Sequence, residues 1–159
     1  MVEAYEGMEI IRFVFKANSI TSGVEEDIRD YLTLHPNIKL VVIDTLQHIR
    51  GNEFVKNIYA GDVEFTNILR QISMEFDLTI LALTHTNKGK HDDDISKISG
   101  SEGMAGGTDG NWVLTKSKRT DTRANLTISN RDTEAFEFAL EFDKESCRWN
   151  KLTRDESVV

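Results

Sequence analysis

The chain has 159 residues, a mass of 18.1 kDa and a formal net charge of −8, so it suits one domain and is not expected to be coated in nucleic acid along its whole length. The apolar fraction of 39% supports a packed core, and the single cysteine, Cys147, excludes an internal disulfide and a cysteine-based zinc site. No apolar stretch approaches the roughly 18 residues of a membrane helix, and residues 1–20 lack the pattern of a secretory signal. We therefore expect a cytoplasmic protein with no membrane partner.

The first part of the chain predicts a strand followed by an amphipathic helix. Ile10 to Phe15 is an apolar run typical of a strand. Ser22 and Glu25 have the spacing of a capping box, and the helix that begins near Gly23 is expected to end at His35-Pro36.

Two short apolar runs then predict a parallel sheet. Leu40 to Ile43 is rich in β-branched residues and too short for a helix, and Leu78 to Leu83 has the same character. A helix that Asp62 can cap joins the two runs. The order βαβαβ predicts an α/β fold in which these strands are parallel and buried on both faces.

The last third of the chain predicts antiparallel strands. Residues 86–110 are expected to form a long loop, and the strands that follow are expected to extend the parallel sheet. Residues 1–152 are predicted to form a single domain and residues 153–159 a frayed tail. The predicted strands are Asn111 to Lys116, Ala124 to Ser129, Phe136 to Phe142 and Cys147 to Leu152.

Polar residues follow the two central strands, where open α/β sheets bind ligands. Asp44-Thr45 follows the first strand and Thr84-His85 the second. A carboxylate that closes an apolar strand is typical of Walker B sites, but it also suits a residue that caps the next turn. A single histidine at a strand end, such as His85, is more often a hydrogen-bonded structural residue than a phosphate sensor, although its location at this edge favours the sensor.

The sequence contains no G-x-x-x-x-G-K-[ST] motif, and the glycine-rich Gly100 to Thr108 lacks the lysine of a phosphate loop. Tight binding of ATP by this chain alone is therefore not expected. A metal-dependent hydrolase using His85, His91 and Asp92 to Asp94 is a weaker interpretation, since a solvated charge run explains these residues more simply. His48 stands alone in the sequence.

Five basic side chains and one acidic side chain lie between Lys116 and Arg131. This stretch suits either a phosphate-binding edge or the solvated tip of a hairpin. Arg131 lies in the turn Asn130-Arg131-Asp132 between two predicted strands, where a guanidinium can be offered to a neighbouring molecule.

Together these segments resemble the RecA-like ATPases of the RepA and DnaB hexameric-helicase type, in particular phage and bacterial relatives of the RepA group. The resemblance runs from about Phe13 to Leu152 and implies part of the RecA-like (P-loop NTPase) three-layer α/β sandwich, without its Walker A half. The matching segments are His35 to Leu46, Tyr59 with Asp62, Thr84 to Lys88, Ile98 to Ser101 with Gly103, Gly107 and Asp109, Asn130 to Asp132, and Phe142 to Trp149.

The resemblance implies roles for individual residues. Asp44 would be the Walker B carboxylate associated with Mg²⁺, with Thr45 beside it. His85 would sense the γ-phosphate of ATP with Lys88 nearby, and Arg131 would be an arginine finger that reaches the ATP of an adjacent subunit. The sequence departs from the family pattern at two positions, where Thr84 replaces a histidine and Asn130 replaces a glycine.

The resemblance also implies the partners. The parent protein would be a homo-oligomer, of hexameric type, that uses ATP and Mg²⁺ and binds DNA, expected to be single-stranded. The loop from Lys88 to Thr108 would face the channel of the ring, with Lys88, Lys90, Lys97 and Ser101 as nucleic-acid contacts.

Two hypotheses explain a chain that has these residues and no phosphate loop. It is the carboxy-terminal piece of a longer ATPase of DNA replication, recombination or repair, and is inactive alone. Alternatively, it is a complete, nucleotide-free module that docks on a ring ATPase or on DNA. A reading frame upstream of Met1 that encodes G-x-x-x-x-G-K-[ST] would decide for the first hypothesis.

Overall fold

The computed structural model describes residues 2–3, 11–50, 58–86 and 102–152. The chain divides into two compact units, Met1–Thr84 and His85–Val159. Whether the units act as the single domain expected for residues 1–152 stays a prediction, and the predicted tail lies outside the described residues.

The first unit contains one antiparallel and one parallel strand pair. In chain order the elements are β1 (Val2–Glu3), β2 (Phe13–Val14), a 3₁₀ turn (Ile20–Ser22), α1 (Val24–Leu34), β3 (Leu40–Asp44), α2 (Leu46–Arg50), α3 (Ile58–Glu75) and β4 (Thr79–Leu83). The strand predicted at Ile10 to Phe15 is shorter than expected. Among the described residues it consists of β2, which pairs antiparallel with β1 and not with β3 or β4.

Helix α1 begins at Val24, close to the predicted position, but without the predicted capping box. Gly23 precedes the helix with a φ of 99°, a left-handed conformation that favours glycine, and no side chain caps the helix. Ser22 instead lies in the 3₁₀ turn, where its hydroxyl accepts a hydrogen bond from the Ser19 hydroxyl at 2.8 Å. The helix ends before His35, as predicted from the following proline.

Strands β3 and β4 are parallel and in direct register, which confirms the predicted α/β arrangement. Leu40 lies opposite Thr79, and Asp44 lies opposite Leu83. Before the amino-terminal ends of both strands, Lys39 Nζ donates to the carbonyl and the carboxylate of Asp77 at 2.9 and 2.7 Å.

The two faces of this parallel pair differ in exposure. One face is covered, and its Ile43 side chain is only 8% exposed. On the other face Leu40 and Val42 are each 55% exposed, Leu81 is 45% exposed and Leu83 is 40% exposed. The prediction that both faces are buried is therefore wrong, because an apolar sequence specifies what a strand can bury and not what covers it.

Helix α3 supplies much of the core of the first unit. Phe65, Leu69 and Ile72 keep the predicted helical spacing and are at most 9% exposed. The helix starts at Ile58, so Asp62 lies inside it and is not the predicted cap. The one-turn helix α2 between β3 and α3 was not predicted.

The second unit contains helix α4 (Glu102–Gly107) and a four-stranded antiparallel sheet in the order β5-β6-β7-β8. The predicted strands are confirmed, but their sheet is separate from that of β3 and β4, so the prediction that they extend the parallel sheet is wrong. Helix α4 lies within the predicted loop, and residues 87–101 of that loop lie outside the described residues. The strands are β5 (Gly110–Thr115), β6 (Arg123–Asn130), β7 (Phe136–Asp143) and β8 (Arg148–Lys151).

Within the described ranges, no helix combines the length and the apolar character that crossing a membrane requires.

Removing the side chain of Ile72 tests the core. Ile72 is fully buried, so Ile72→Ala should lower the free energy of unfolding by about 2–5 kcal/mol through lost apolar burial and a residual cavity. Met74→Ala on the same helix is the matched control, because Met74 is 73% exposed, and it should change stability by less than about 0.5 kcal/mol. Urea unfolding followed by circular dichroism measures both, and equal losses would contradict the described packing.

The ion pair between Lys39 and Asp77 gives a pH prediction. The hydrogen bond and the charge of Lys39 lower the pKa of Asp77 below the ordinary value of about 3.9. Because a carboxylate with a lowered folded-state pKa stabilises the fold when ionised, this contribution is present at neutral pH and is lost as the pH falls through that pKa.

Lys39→Gln should therefore raise the pKa of Asp77, and Lys144→Gln on another surface loop should leave it unchanged. Carboxyl NMR titration at low ionic strength measures the shift. An Asp77 pKa that is the same with and without Lys39 would rule out this pair as the cause.

Candidate active site

Asp44 is the last residue of β3, at the edge where β4 also ends. The four apolar residues before it favour a strand, and the parallel register places Asp44 beside Leu83. The Asp44 side chain is exposed, and the peptide bond that joins it to Thr45 is cis. The structure thus brings Asp44, Thr45 and Thr84 to one edge of the parallel pair, as the sequence predicted.

Two hydrogen-bonding contacts organise this edge, and sequence reasoning missed both. Gln47 Nε2, on the first turn of α2, donates to Thr84 Oγ1 at 2.8 Å and so links the ends of the two strands. Thr45 Oγ1 lies 3.3 Å from His48 Nδ1, so His48 does not stand alone. The i+3 spacing from Thr45 to His48 is a sequence signal for the second contact once a helical turn is known to follow the strand, whereas no local spacing indicates the contact from Gln47 to Thr84.

The chemistry of Asp44 fits a magnesium ion that is shared with a phosphate group. Mg²⁺ in nucleotide sites commonly takes one or two carboxylates and completes its octahedron with phosphate oxygens and water. Within the described residues, no group of three or more histidine, cysteine, aspartate or glutamate side chains is placed to hold a metal. An exposed lone carboxylate at a strand end therefore suits Mg²⁺ bound with a nucleotide. The alternative metal ligands His91 and Asp92 to Asp94 lie outside the described residues.

His85 follows Leu83 by two residues and opens the second unit, with an exposed side chain. Its role as a phosphate sensor stays a prediction. The other residues assigned to nucleotide or nucleic acid, Lys88, Lys90, Lys97 and Ser101, lie outside the described residues, so their roles also stay predictions.

Arg131 is held by the turn that precedes β5. Its Nη2 donates to the Gly106 carbonyl at 3.1 Å, its Nη1 lies 3.6 Å from Asp109 Oδ1, and its backbone N–H donates to the Asp109 carbonyl at 3.1 Å. The Arg131 side chain remains 43% exposed. The guanidinium is thus oriented by its own chain and still open to a ligand, which suits an arginine that acts on a phosphate.

The register of β5 and β6 explains why Asp109 meets Arg131. Gly110 lies opposite Asn130, so the residues just outside that pair are neighbours. A Cβ on Gly110 would come within 2.5 Å of Asn130 Oδ1, so the close approach of the two strands at this turn requires glycine or a shifted Asn130 side chain. A register prediction for this hairpin would have identified Asp109.

Solved structures with a similar fold support the RecA-like assignment. One is described as the ATPase domain of another protein, with a TM-score of 0.66, 17% identity and coverage of 86% of this chain and 52% of that chain. Another is a DnaB-like replicative helicase studied with its interactions with primase, with a TM-score of 0.67, 17% identity and coverage of 89% and 36%. The chain thus spans about half and about a third of these two proteins.

No protein-family model matches the chain, and no curated protein does so either. At 17% identity the likeness to the solved structures establishes the fold, and not the activity. The chain shares the RecA-like fold of these structures: parallel strands with helices, followed by antiparallel strands.

The Gln47–Thr84 hydrogen bond predicts an energetic coupling between the ends of β3 and β4. A double-mutant cycle with Gln47→Ala and Thr84→Val should give a coupling of about 0.5–1.5 kcal/mol, the usual net value of one hydrogen bond. Thr84→Ser keeps the hydroxyl and should preserve the coupling, whereas Gln71→Ala, at an exposed position of α3, should show none with Thr84→Val. Urea unfolding measures all variants, and zero coupling in the main cycle would refute the link.

Proposed function

We propose that this chain is the carboxy-terminal part of a RecA-like ATPase core of replicative-helicase type, close to the RepA group, and that another segment of the parent protein supplies the phosphate loop. The observation that carries the proposal is the parallel register that ends at Asp44 and Leu83. It brings a carboxylate to the edge of the sheet where nucleotides bind in open α/β folds.

Two further observations support a larger parent. The chain spans only part of both similar proteins. In addition, four aliphatic side chains on one face of the β3-β4 pair are 40–55% exposed, which is a face that a larger protein would cover.

In this proposal Asp44 and Thr45 bind the magnesium ion or its waters, and His85 and Lys88 contact the γ-phosphate of ATP. Bound Mg²⁺ supplies a cation that neutralises the charge developing on the phosphate oxygens. Without a phosphate loop the chain lacks the main attraction for the triphosphate, so we expect it to have no ATPase activity alone.

Arg131 is proposed as the arginine finger. Its partners, one backbone carbonyl and one exposed carboxylate at 3.6 Å, orient the guanidinium without burying it. A triphosphate carries more charge than the Asp109 carboxylate, so an adjacent subunit's ATP would compete well for this arginine. The proposal therefore requires a homo-oligomer, and we propose a hexameric ring.

The parent is further proposed to act in DNA replication, with single-stranded DNA bound in the channel of the ring. Lys88, Lys90, Lys97 and Ser101 would contact the phosphates. This part of the proposal rests on the resemblance of the sequence and on the likeness of the fold to that of a DnaB-like replicative helicase.

The decisive test uses the longer parent protein. Arg131→Ala should lower kcat for ATP hydrolysis by about 10³–10⁵ while leaving ATP affinity nearly unchanged, because a finger acts mainly in the transition state. Arg123→Ala is the matched control, since Arg123 begins the strand that Arg131 follows and pairs with Glu141 at 3.4 Å. Phosphate release measures turnover, and a fluorescent ATP analogue measures binding. Equal losses of turnover and affinity in Arg131→Ala would contradict the finger role.

Mixing two inactive variants tests whether the arginine acts between subunits. In a ring formed from Arg131→Ala and Asp44→Asn subunits at equal amounts, about a quarter of the interfaces join an intact Asp44 to an intact Arg131. Activity should therefore reappear on mixing. Failure of the mixture, in rings shown to exchange subunits, would place both residues in one subunit's site or remove Arg131 from it.

A further inference from the structure

One face of the antiparallel sheet is formed by aromatic side chains from three of its four strands. Side chains alternate between the faces of a strand, so the register places Trp112 of β5 on the same face as Phe136 and Phe138 of β7. Phe142 of β7 and Trp149 of β8 lie opposite each other on this face, with their ring centroids 5.1 Å apart. These five residues define the aromatic face.

The aromatic face is the more open side of the sheet at β5. Trp112 is 67% exposed, and Phe136 of β7 is 47% exposed. On the other face, Val113 and Thr127 lie opposite each other and are 2% and 6% exposed, so that side is covered there. Trp112 and Phe136 lie on either side of Ile128 of β6, and two exposed aromatic rings this close on one sheet face are unusual for a surface that only meets water.

In the described strands the aromatic face carries no carboxylate, and its charged residue there is Lys151. The opposite face carries the carboxylates Glu137, Glu141 and Asp143 together with the guanidinium groups of Arg123 and Arg148. Lys151 Nζ lies 3.9 Å from the centroid of the Phe138 ring, and Lys116 Nζ lies 5.1 Å from that of Trp149. Such cation–π contacts hold an ammonium group at the level of the rings.

The basic character continues beyond the rings. The hairpin between β5 and β6 adds Lys118 and Arg119 next to Lys116. An open pocket of about 510 Å³ lies at this hairpin, between residues 115–117 and residues 121–125. A chain with a net charge of −8 therefore concentrates positive charge at one end of its aromatic face.

We propose that the aromatic face binds single-stranded nucleic acid, with bases stacked on Trp112 and Phe136 and phosphates paired with Lys116 and Lys151. Stacking on exposed rings beside a basic groove is the general way in which proteins bind single strands without reading sequence. A second copy of the chain is a poorer occupant, because it would bring lysines against lysines. Duplex DNA is also disfavoured, because its bases are paired and stacked on one another and offer no free face to the aromatic rings.

The residues of this surface differ from Lys88, Lys90, Lys97 and Ser101, which are assigned above to the DNA channel, and the proposal needs no nucleotide. Variants of the two residue sets therefore test the two proposals separately.

The test is fluorescence anisotropy of a labelled oligothymidylate of about 15 nucleotides, titrated with this chain at low salt. Trp112→Ala should weaken binding about tenfold, and Trp112→Phe should retain most of the affinity because a phenyl ring still stacks. Lys116→Gln and Lys151→Gln should each weaken binding and reduce the slope of log K against log salt by about 0.7.

Lys144→Gln is the matched control, because it removes the same charge from the turn between β7 and β8 and should leave the salt slope unchanged. The double variant Lys88→Gln with Lys90→Gln tests the other segment and should retain the Trp112-dependent part of the affinity. Circular dichroism confirms the fold of each variant.

Three outcomes would overturn the proposal. The first is the absence of binding at low salt. The second is binding that Trp112→Ala leaves intact and that the Lys88 and Lys90 double variant abolishes. The third is a dimer, seen by sedimentation, that Trp112→Ala dissociates while the oligonucleotide fails to bind, which would make the aromatic face a protein interface.

Discussion

The parallel pairing of β3 with β4 is the constraint on which the candidate active site depends. Parallel strands deliver both carboxyl ends to one edge, and the direct register sets Asp44 beside Leu83. A shift by one residue would turn Asp44 to the opposite face, since side chains alternate. Exposed polar contacts join the two strands at both ends, from Lys39 to Asp77 and from Gln47 to Thr84.

Much of this architecture was predictable, because it follows from local patterns. The β-branched run before Asp44 predicted a strand of a parallel sheet. The alternation of apolar and polar residues in Phe136–Asp143 predicted a strand of an antiparallel sheet. The errors have physical causes as well. Gly23 starts α1 through a left-handed conformation that competes with the capping box of Ser22, and α3 extends four residues before Asp62 because helix starts depend on tertiary packing.

The sequence predicted candidate site residues such as Asp44 and Arg131, whose roles stay predictions, and it missed the residues that contact them or their neighbours. Asp44 and Arg131 stand at the end of a strand and in a turn, positions that the sequence marks directly. Gln47 and Asp109 act through partners 37 and 22 positions away along the sequence, and only the strand register reveals such pairs. Residues that orient a site are therefore harder to predict than residues that form it, because their contacts are nonlocal.

The two exposed faces of the protein differ in chemistry, and this difference argues for different occupants. The open face of β3 and β4 presents aliphatic side chains such as Leu40 and Val42, which gain free energy only by losing contact with water and have no directional preference. Such a face suits further protein. The aromatic face presents flat rings with lysines at their edges, which offer stacking and charge to a planar, anionic ligand. A nucleic-acid strand meets both requirements, whereas an apolar protein surface would leave the lysines without anionic partners.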